Sequence, residues 1–512
     1  MHDITRIFQL TIFLAFYTLT FSTLSGQNLT TQQVTAWEED IDFVLTKLWD
    51  TYPDVEQRLD KATFQTAADQ LKDDLPNLSH DDAIIRLQAL LALTGEGSNG
   101  IYPFQEKLNY DMLPMKAYWF EDGLFVCDAA SPHEHLIGEQ IISVNDVPIE
   151  EIWEKLKLLL SGDNEHQKRG AATYTWQMTP WLAYLTETEV STEAILTLGS
   201  GEQERVAFRP NSEYLALDRR LPSYRALPSS ISPHAKDNYW MEYLPESRTL
   251  FIQFLAIRDN VDGPSFKNFV QEIEDMLDGG SVDKVIVDNR YGGGGNGFKL
   301  KPFTDLLRDH ERINQQGNLF ILTGRGTRGT VQEMTSVLEL NTKAILVGQP
   351  TGEGPNSVGD IKAVTLPNAG IDVWLVHTFW PTSWPQDPRM TIQPTVEVDY
   401  TWSSFEAQED PWLQTALSYT AQASPNTEVS WEPKTGKYSN GKYTVTIEEE
   451  KGHYFLRMKR KLKSFFEIST ELSPTTGNRY RADLADVYLE AGNSGDESLQ
   501  LVWKGVPILL NR

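Results

Sequence analysis

The chain has 512 residues, 72 of them acidic and 45 of them lysine or arginine, which gives a formal net charge of −27 at pH 7. Such a surplus of negative charge argues against nucleic acid or an anionic lipid surface as a partner. The length predicts two to four domains, and 40% hydrophobic with 11% aromatic residues supply enough side chains for real cores.

The first 26 residues predict an export signal. Arg6 precedes an apolar run over residues 7–24, and two small residues follow it before Gln27. Polar residues interrupt the run, which disfavours a membrane anchor and favours a signal peptide that is removed. We therefore expect a secreted or periplasmic protein with no membrane span once residues 1–26 are cleaved.

Cysteine and histidine usage limits the chemistry. The single cysteine, Cys127, excludes a disulfide framework and a cysteine-based metal site. The nine histidines are scattered, without the paired spacing of metal ligands. We expect neither a bound metal nor a cofactor, and export without disulfides suits a bacterial periplasm or exterior.

A helical pattern opens the mature chain between residues 31 and 93. Trp37, Ile41 and Val44 recur at the spacing of one helical face. Ser79 followed by Asp82 is typical of a helix start and predicts a further helix there. These signals predict an N-terminal helical domain over residues 27–112.

Residues 136–160 follow a different order: a glycine, a hydrophobic strand, an Asn-Asp turn, a short strand and a helix. This is the order of the half of a PDZ-like module that carries its carboxylate-binding side. A lone β-turn-β-α unit would give the same pattern. We assign residues 113–215 to a PDZ-like, mixed segment.

The stretch Val285 to Gly297, VIVDNRYGGGGNG, is the most informative in the chain. Three β-branched residues in a row predict a strand buried on both faces. Asp288 and Arg290 follow, then four consecutive glycines and a helical pattern from Phe298. A strand, a glycine turn and a helix are the layout in which α/β folds present backbone N–H groups to an anion or oxyanion. A tight structural turn is the alternative, and the position of Arg290 beside Asp288 favours a structural role for that arginine.

Further strand and helix signals surround this stretch. Short buried strands are predicted at residues 319–322 and 344–347, with a helix that starts at Gly329 or Thr330 between them. This alternation predicts a parallel sheet, so residues 216–424 are expected to form an α/β core. After a polar, proline-containing linker, residues 436–512 alternate turns with strands and predict a small all-β domain, a barrel or a sandwich.

With these residues the chain resembles the tail-specific (carboxyl-terminal processing) serine peptidase superfamily, in its branch of tricorn-core and interphotoreceptor retinoid-binding-like proteins. VIVDNRYGGGGNG is similar to the family's D-x-R-x-N-x-G-G segment, LVGQPTGEGPNSVGDIKAVTLPNAGI to its G-E-P-T-G-G-x-x-N stretch and following strand, and RMTIQPTVEV to its P-D-I-x-V strand. The resemblance covers about residues 35–417. It implies an α/β, crotonase-like core behind the helical and PDZ-like segments, and a hydrolase that performs proteolysis as a serine-type peptidase.

Two positions depart from what the chemistry of that family needs. The resemblance places Gly329 at the serine nucleophile of a T-F-S-A segment and Ser98 at the histidine base of a D-G-H-T segment. Acyl transfer by this route needs an oxygen nucleophile and an adjacent base. A glycine supplies no oxygen, and a serine hydroxyl is a very poor base at neutral pH, so the catalytic site is predicted to be abandoned.

Other parts of the family site are implied to remain. The backbone N–H group of Gly293 or Gly294, together with that of Thr330, is implied as a surviving pair of oxyanion donors. Asp387, with Arg389 nearby, is implied as the acidic residue that supports the site.

The function therefore has alternatives. The predicted one is a pseudoenzyme that binds a peptide or protein segment in the old cleft, and an apolar small ligand is a further possibility within that class. The other is an active peptidase with Thr330 as nucleophile, for which His377, on a strand-like run, is a poor candidate base. A helix N-cap role is the structural interpretation of Thr330.

Overall fold

The computed structural model describes residues 26–52, 60–217, 237–383, 387, 389–419, 432–441, 443–450, 452–460, 467–475, 479–482, 487–491, 498–503 and 506–511. All of the predicted signal peptide except Gly26, and most of the predicted linker, lie outside these residues. Within the described part of the chain, no helix combines the length and apolar character needed to span a membrane.

The chain divides into two compact units. The first comprises Met1–Ala226, Val358–Thr378 and Thr401–Ala407, and the second comprises Leu227–Ser357, Phe379–Tyr400 and Gln408–Arg512. Each unit is therefore assembled from separate stretches of sequence, and the consecutive domain boundaries expected from the sequence pattern stay a prediction.

The first unit begins with three amphipathic helices, α1 (Thr31–Thr51), α2 (Lys61–Asp74) and α3 (His80–Ala92). Thr30 and Ser79 start α1 and α3 with capping boxes, so the predicted helix start at Ser79 is confirmed. The apolar faces bring Ile41, Leu48 and Leu87 into one core with no solvent exposure.

The remainder of the first unit mixes short strands and helices. Its strands up to residue 207 are β1 (Gly100–Ile101), β2 (Met115–Phe120), β3 (Gly123–Ala129), β4 (Ile141–Val144), β5 (Val147–Pro148), β6 (Glu193–Leu198) and β7 (Gln203–Ala207). Its helices are α4 (Ile149–Leu159), α5 (Glu165–Thr175), α6 (Thr179–Thr186) and α7 (Asn211–Ala216). Asn145 and Asp146 both have positive φ in the tight turn between β4 and β5. The strand, Asn-Asp turn, strand and helix predicted here are confirmed.

The second unit contains a six-stranded sheet. Its strands are β8 (Tyr239–Leu244), β9 (Thr249–Phe254), β10 (Lys284–Asp288), β11 (Leu319–Thr323), β12 (Ile345–Gly348) and β15 (Val396–Glu397). Their order is β15-β12-β11-β10-β9-β8, and all neighbours run parallel except β8 and β9. The predicted parallel sheet is confirmed. Its central strands carry buried apolar runs, and helices α8 (Phe266–Asp278), α9 (Lys301–Asp309) and α10 (Gly329–Asn341) contribute to the same core.

Two long strands follow β12, namely β13 (Asn356–Thr365) and β14 (Asp372–Pro381), and the three-stranded sheet has the order β1-β14-β13. Two short helices, α11 (Trp402–Glu406) and α12 (Pro411–Ser418), come after β15.

The C-terminal residues form a closed barrel of eight antiparallel strands. The strands are β16 (Gly436–Ser439), β17 (Tyr443–Glu450), β18 (His453–Arg460), β19 (Glu467–Thr475), β20 (Arg479–Ala482), β21 (Val487–Ala491), β22 (Ser498–Trp503) and β23 (Val506–Asn511). Ser439 pairs with Asn511, so the last strand closes on the first. Leu456, Met458 and Leu501 belong to a cluster of inward side chains that fill the interior.

Candidate functional site

The glycine turn after β10 rests on a buried ion pair. Arg290 is 2% exposed, and its Nε lies 2.9 Å from Asp288 Oδ1 while its Nη1 lies 2.7 Å from Asp410 Oδ1. Burial alone would lower the pKa of Arg290, but the two carboxylates outweigh it and hold that pKa well above its usual value. The predicted contact with Asp288 is confirmed, and Arg290 anchors the turn rather than facing a ligand.

Backbone hydrogen bonds attach the glycine turn to the segment after β9. Gly293 N–H donates to the Leu255 carbonyl at 2.9 Å, and Ile257 N–H donates to the Gly294 carbonyl at 3.1 Å. The predicted donor Gly293 is therefore engaged within the fold. Gly294 is open, because a Cβ atom built on it would meet nothing within 4 Å. Of the two glycine donors implied by the resemblance, Gly294 is the one whose surroundings leave room for a ligand.

Gly329 opens helix α10 against the glycine turn. Its φ is +54°, and a Cβ atom built on it would lie 2.8 Å from the Gly293 carbonyl oxygen and 3.4 Å from Gly294 Cα. The structure thus brings Gly293, Gly294 and Gly329 together. The left-handed φ and the close carbonyl both favour a residue without a side chain at the predicted nucleophile position.

Thr330 is the second residue of helix α10 and is 6% exposed. The N-cap of this helix is Arg328, whose side chain makes no capping hydrogen bond. The N-cap interpretation of Thr330 is therefore wrong, because the N-cap lies two residues earlier and the backbone enters the helix through the left-handed Gly329. Thr330 thus lies within the first turn as a largely buried residue.

A carboxylate that the sequence analysis did not single out occupies the helix start. Glu353 Oε2 accepts a hydrogen bond from Gly329 N–H at 2.6 Å. A negative charge at a helix N-terminus is stabilised by the unsatisfied N–H groups and the helix dipole. The signal was present in the sequence, because Glu353 stands where the G-E-P-T-G-G-x-x-N pattern has the second glycine of its pair.

The loop around Glu353 is fixed on both sides. Thr351 Oγ1 donates to the Glu353 carbonyl at 2.7 Å. Cβ atoms built on Gly352 and Gly354 would lie 2.4 Å from the carbonyl oxygens of Arg325 and Arg389. These contacts leave room only for glycine on either side, so the loop holds the Glu353 carboxylate at one position.

Asp387 lies in an ion-pair network with Arg389 and Glu339. Arg389 Nη2 is 2.9 Å from Asp387 Oδ2, Arg389 Nη1 is 2.7 Å from Glu339 Oε1, and Ser383 Oγ donates to Asp387 at 2.9 Å. Burial would lower the pKa of Arg389, but Glu339 and Asp387 together raise it above its usual value. These contacts tie Asp387 to helix α10 through Arg389, which is a structural arrangement.

Ser98 and His377 both belong to the first unit. Ser98 is half-buried in a turn that Asn99 closes by donating its N–H to the Glu96 carbonyl at 2.9 Å. His377 is exposed on β14, and its Nδ1 lies 3.0 Å from the hydroxyl of Thr378. Gly293, Gly294, Gly329, Thr330 and Asp387 belong to the second unit. That position 98 is the counterpart of the family's histidine base, and position 329 that of its serine nucleophile, stays a prediction.

Among the residues that the structure describes, no group of three or more His, Cys, Asp or Glu side chains is arranged to hold a metal ion. The groups around Gly329 are backbone donors, the Glu353 carboxylate, the Thr330 hydroxyl and Arg328, whose Nε lies 3.7 Å from where a Cβ atom on Gly293 would be.

Comparison with known proteins identifies the fold. No family model matches the chain, and no curated protein matches it. Among solved structures, mature CPAF complexed with lactacystin matches with a TM-score of 0.52 and 11% identity over 75% of this chain and 97% of that chain. Mature CPAF alone matches with a TM-score of 0.51 and 12% identity, over 75% and 96% of the two chains. The photosystem II D1 C-terminal processing protease also matches, with a TM-score of 0.34 and 13% identity over 72% and 94%.

CPAF, whose two structures match with TM-scores above 0.5, is a relative of the tail-specific peptidases. The resemblance inferred from the sequence is therefore confirmed at the level of the fold, which is mixed α/β with several sheets. At 11–12% identity the match extends to the fold alone.

Proposed function

From a fold shared with tail-specific peptidases, we propose that this chain is a pseudopeptidase that binds an extended peptide or protein segment beside the glycine turn and does not cleave it. The observation that carries the proposal is Gly329, which has no side chain and whose φ of +54° and close contact with Gly293 disfavour one.

The surroundings of Gly329 also oppose acyl transfer. A tetrahedral intermediate needs donors aimed at its negative oxygen. Gly293 N–H donates to Leu255, and the Glu353 carboxylate lies on Gly329 N–H. A second negative charge so close to a carboxylate would be repelled, particularly away from bulk water. Without a nucleophile and with a carboxylate at this place, binding is the role that the site supports best.

The peptide-binding half of the proposal is supported by the open side of the turn. Gly294 leaves space around its backbone, and it lies at the edge where parallel strands β9 and β10 end. Ligands of open α/β sheets bind outside the carboxyl ends of such strands. An extended polypeptide can use backbone groups there without any catalytic side chain.

The proposal includes the finer organisation that the resemblance implies. The six-stranded sheet would be a crotonase-like core, the β4-to-α4 region a PDZ-like segment, and the barrel a separate C-terminal domain. Cleavage of residues 1–26 would deliver the protein to the periplasm or the exterior. The pattern of Arg6 and the apolar run supports this localisation.

Fluorescein-labelled casein, an unfolded polypeptide, provides the test. We expect its fluorescence anisotropy to rise on binding, with no fragments released and no labelling of the protein by a fluorophosphonate probe. Gly294→Leu should block binding, because the added side chain enters open space at the turn. Gly441→Leu is the matched control, since Gly441 also has nothing within 4 Å and lies in the barrel. Cleavage of casein that is lost on Thr330→Ala would contradict the proposal and establish a peptidase with Thr330 as nucleophile.

A further inference from the structure

Two apolar side chains stand in solvent next to the glycine turn. Phe298 is 85% exposed, in the short 3₁₀ turn Gly297–Lys299 that follows the four glycines. Val261 is 92% exposed, in the segment that follows β9. Since β9 and β10 are parallel, both segments leave the sheet at the same edge. Singly exposed apolar side chains are common. These two are distinguished by their position beside the candidate site, and Phe298 also by an aromatic contact.

The turn that carries Phe298 is held by hydrogen bonds. Phe298 N–H donates to Asn296 Oδ1 at 3.0 Å, and Asn296 N–H donates to the Ile257 carbonyl at 2.8 Å. Lys299 Nζ is 2.6 Å from Asp259 Oδ2, which joins this turn to the segment that carries Val261. The ring of Phe298 is therefore presented to solvent from a fixed backbone.

Trp380 completes an aromatic pair with Phe298. Their ring centroids are 6.2 Å apart, with an interplanar angle of 74°, an edge-to-face contact. The tryptophan lies near the end of β14 and is itself partly exposed. Together the two rings offer an apolar corner that no other described side chain covers fully.

We propose that Phe298 and Trp380 form a subsite that selects a large apolar side chain, aromatic or aliphatic, of the bound polypeptide segment. This inference rests on the proposed function and adds its side-chain preference. Phe298 follows Gly294 by four residues in the chain. One extended peptide segment can therefore reach both the open backbone at Gly294 and the two aromatic rings.

The size of the corner favours a peptide side chain over a second folded copy of the chain. Aromatic side chains bury about 150–250 Å² each. A stable interface between folded proteins buries roughly 1,200–2,000 Å². Two or three exposed side chains fall well short of that area but match one inserted residue.

Peptides that differ at one position test the preference. The probes are fluorescein-labelled, amidated nonapeptides of glycine and serine whose central residue is Phe, Leu, Ser or Asp. We expect the Phe and Leu peptides to bind at least about tenfold more tightly than the Ser peptide, as burial of a large apolar side chain requires. Phe298→Ser should reduce this preference to within about twofold, whereas Phe298→Leu should retain most of it.

Val190→Ser is the matched control, because Val190 is also an exposed apolar residue, at 46%, and lies in the first unit. An unchanged preference in Phe298→Ser would overturn the inference. A second outcome would also overturn the inference: Gly294→Leu blocks casein binding, but the protein binds all four nonapeptides equally. In that case the proposed function would stand without the side-chain preference. Conversion of a dimer to a monomer by Phe298→Ser, seen by sedimentation, would assign the corner to a second copy instead.

Discussion

Gly329 combines two constraints that a side chain cannot meet easily. Its φ of +54° lies in the left-handed region, and the Gly293 carbonyl oxygen lies 2.8 Å from where a Cβ atom would be. The first costs a non-glycine residue about 1–2 kcal/mol, and the second requires the turn to shift. Restoring a hydroxyl at this position by substitution would therefore also disturb the glycine turn.

Gly329→Ala is expected to lower the free energy of unfolding by about 1–3 kcal/mol, because it adds a strained φ and a close contact. Urea denaturation followed by circular dichroism measures the change. Gly170→Ala is the control, since Gly170 lies in α5 with nothing within 4 Å of an added Cβ. That variant should gain about 0.5–1 kcal/mol from helix propensity. Equal effects in the two variants would remove the steric argument for Gly329.

The sequence predicted that position 329 lacks a nucleophilic side chain, but it did not predict the backbone conformation and the carboxylate around that position. The absence of a hydroxyl at position 329 follows from the residue itself. The left-handed φ, and the Glu353 carboxylate on the Gly329 N–H, depend on a loop 24 residues away in sequence. No local pattern predicts that contact. The sequence shows only that Glu353 stands between two glycines, at a position where the family pattern has a glycine.

Arg290 connects a strand to a helix. It follows β10 and forms two paired hydrogen bonds with Asp410, which is 3% exposed. Asp410 also caps α12, because it accepts a hydrogen bond from Leu413 N–H at 3.0 Å. Strand β10 was predictable from three β-branched residues and the Asp288 partner from proximity. Asp410 was not predictable, because nothing periodic relates residues on distant elements.

Asp410→Ala should lower the free energy of unfolding by about 3–5 kcal/mol, because it removes two hydrogen bonds of the buried Arg290 guanidinium and the N-cap of α12, although Asp288 still balances the charge. Chemical denaturation at neutral pH measures this. Asp283→Ala is the control, since Asp283 pairs with Arg248 at the surface, where the partners are 57% and 50% exposed. Solvent screens that pair, so little change is expected. A small effect for Asp410→Ala would mean that water replaces the lost carboxylate.

The barrel is the part of the molecule with the most self-contained pairing. All eight strands pair within residues 436–511, the first with the last, and the interior has its own apolar cluster. The sequence predicted a small all-β domain here from alternating strands and turns. It left barrel and sandwich open, because closure depends on the pairing of strands at opposite ends of the segment.

A fragment of residues 432–512 is expected to fold alone, with a β-type circular dichroism spectrum and a cooperative thermal transition. Removal of β23 should abolish that transition, because it unpairs both β16 and β22 and opens the interior to water. A disordered full-length fragment would show that the barrel depends on the rest of the second unit.

The sequence predicted the general fold well through its family resemblance, whereas the division of the whole chain was not predictable. Residues 358–378 and 401–407 belong to the first unit although they follow the core strands of the second. Leu366, Val373 and Leu375 are buried in the helical core at the start of the chain. Their apolar alternation predicts strands but carries no information on which core receives them.

The link between Arg290 and Asp410 also has a consequence during synthesis. The two residues are 120 positions apart, and at translation rates of about 5–20 residues per second the second carboxylate follows the arginine after roughly 6–24 s. During that interval the nascent sheet holds a cation that lacks one of its two partners. A chain truncated between these two positions would lack the Asp410 partner of Arg290 and could not complete the fold. We expect such truncated products to be degraded rather than to accumulate.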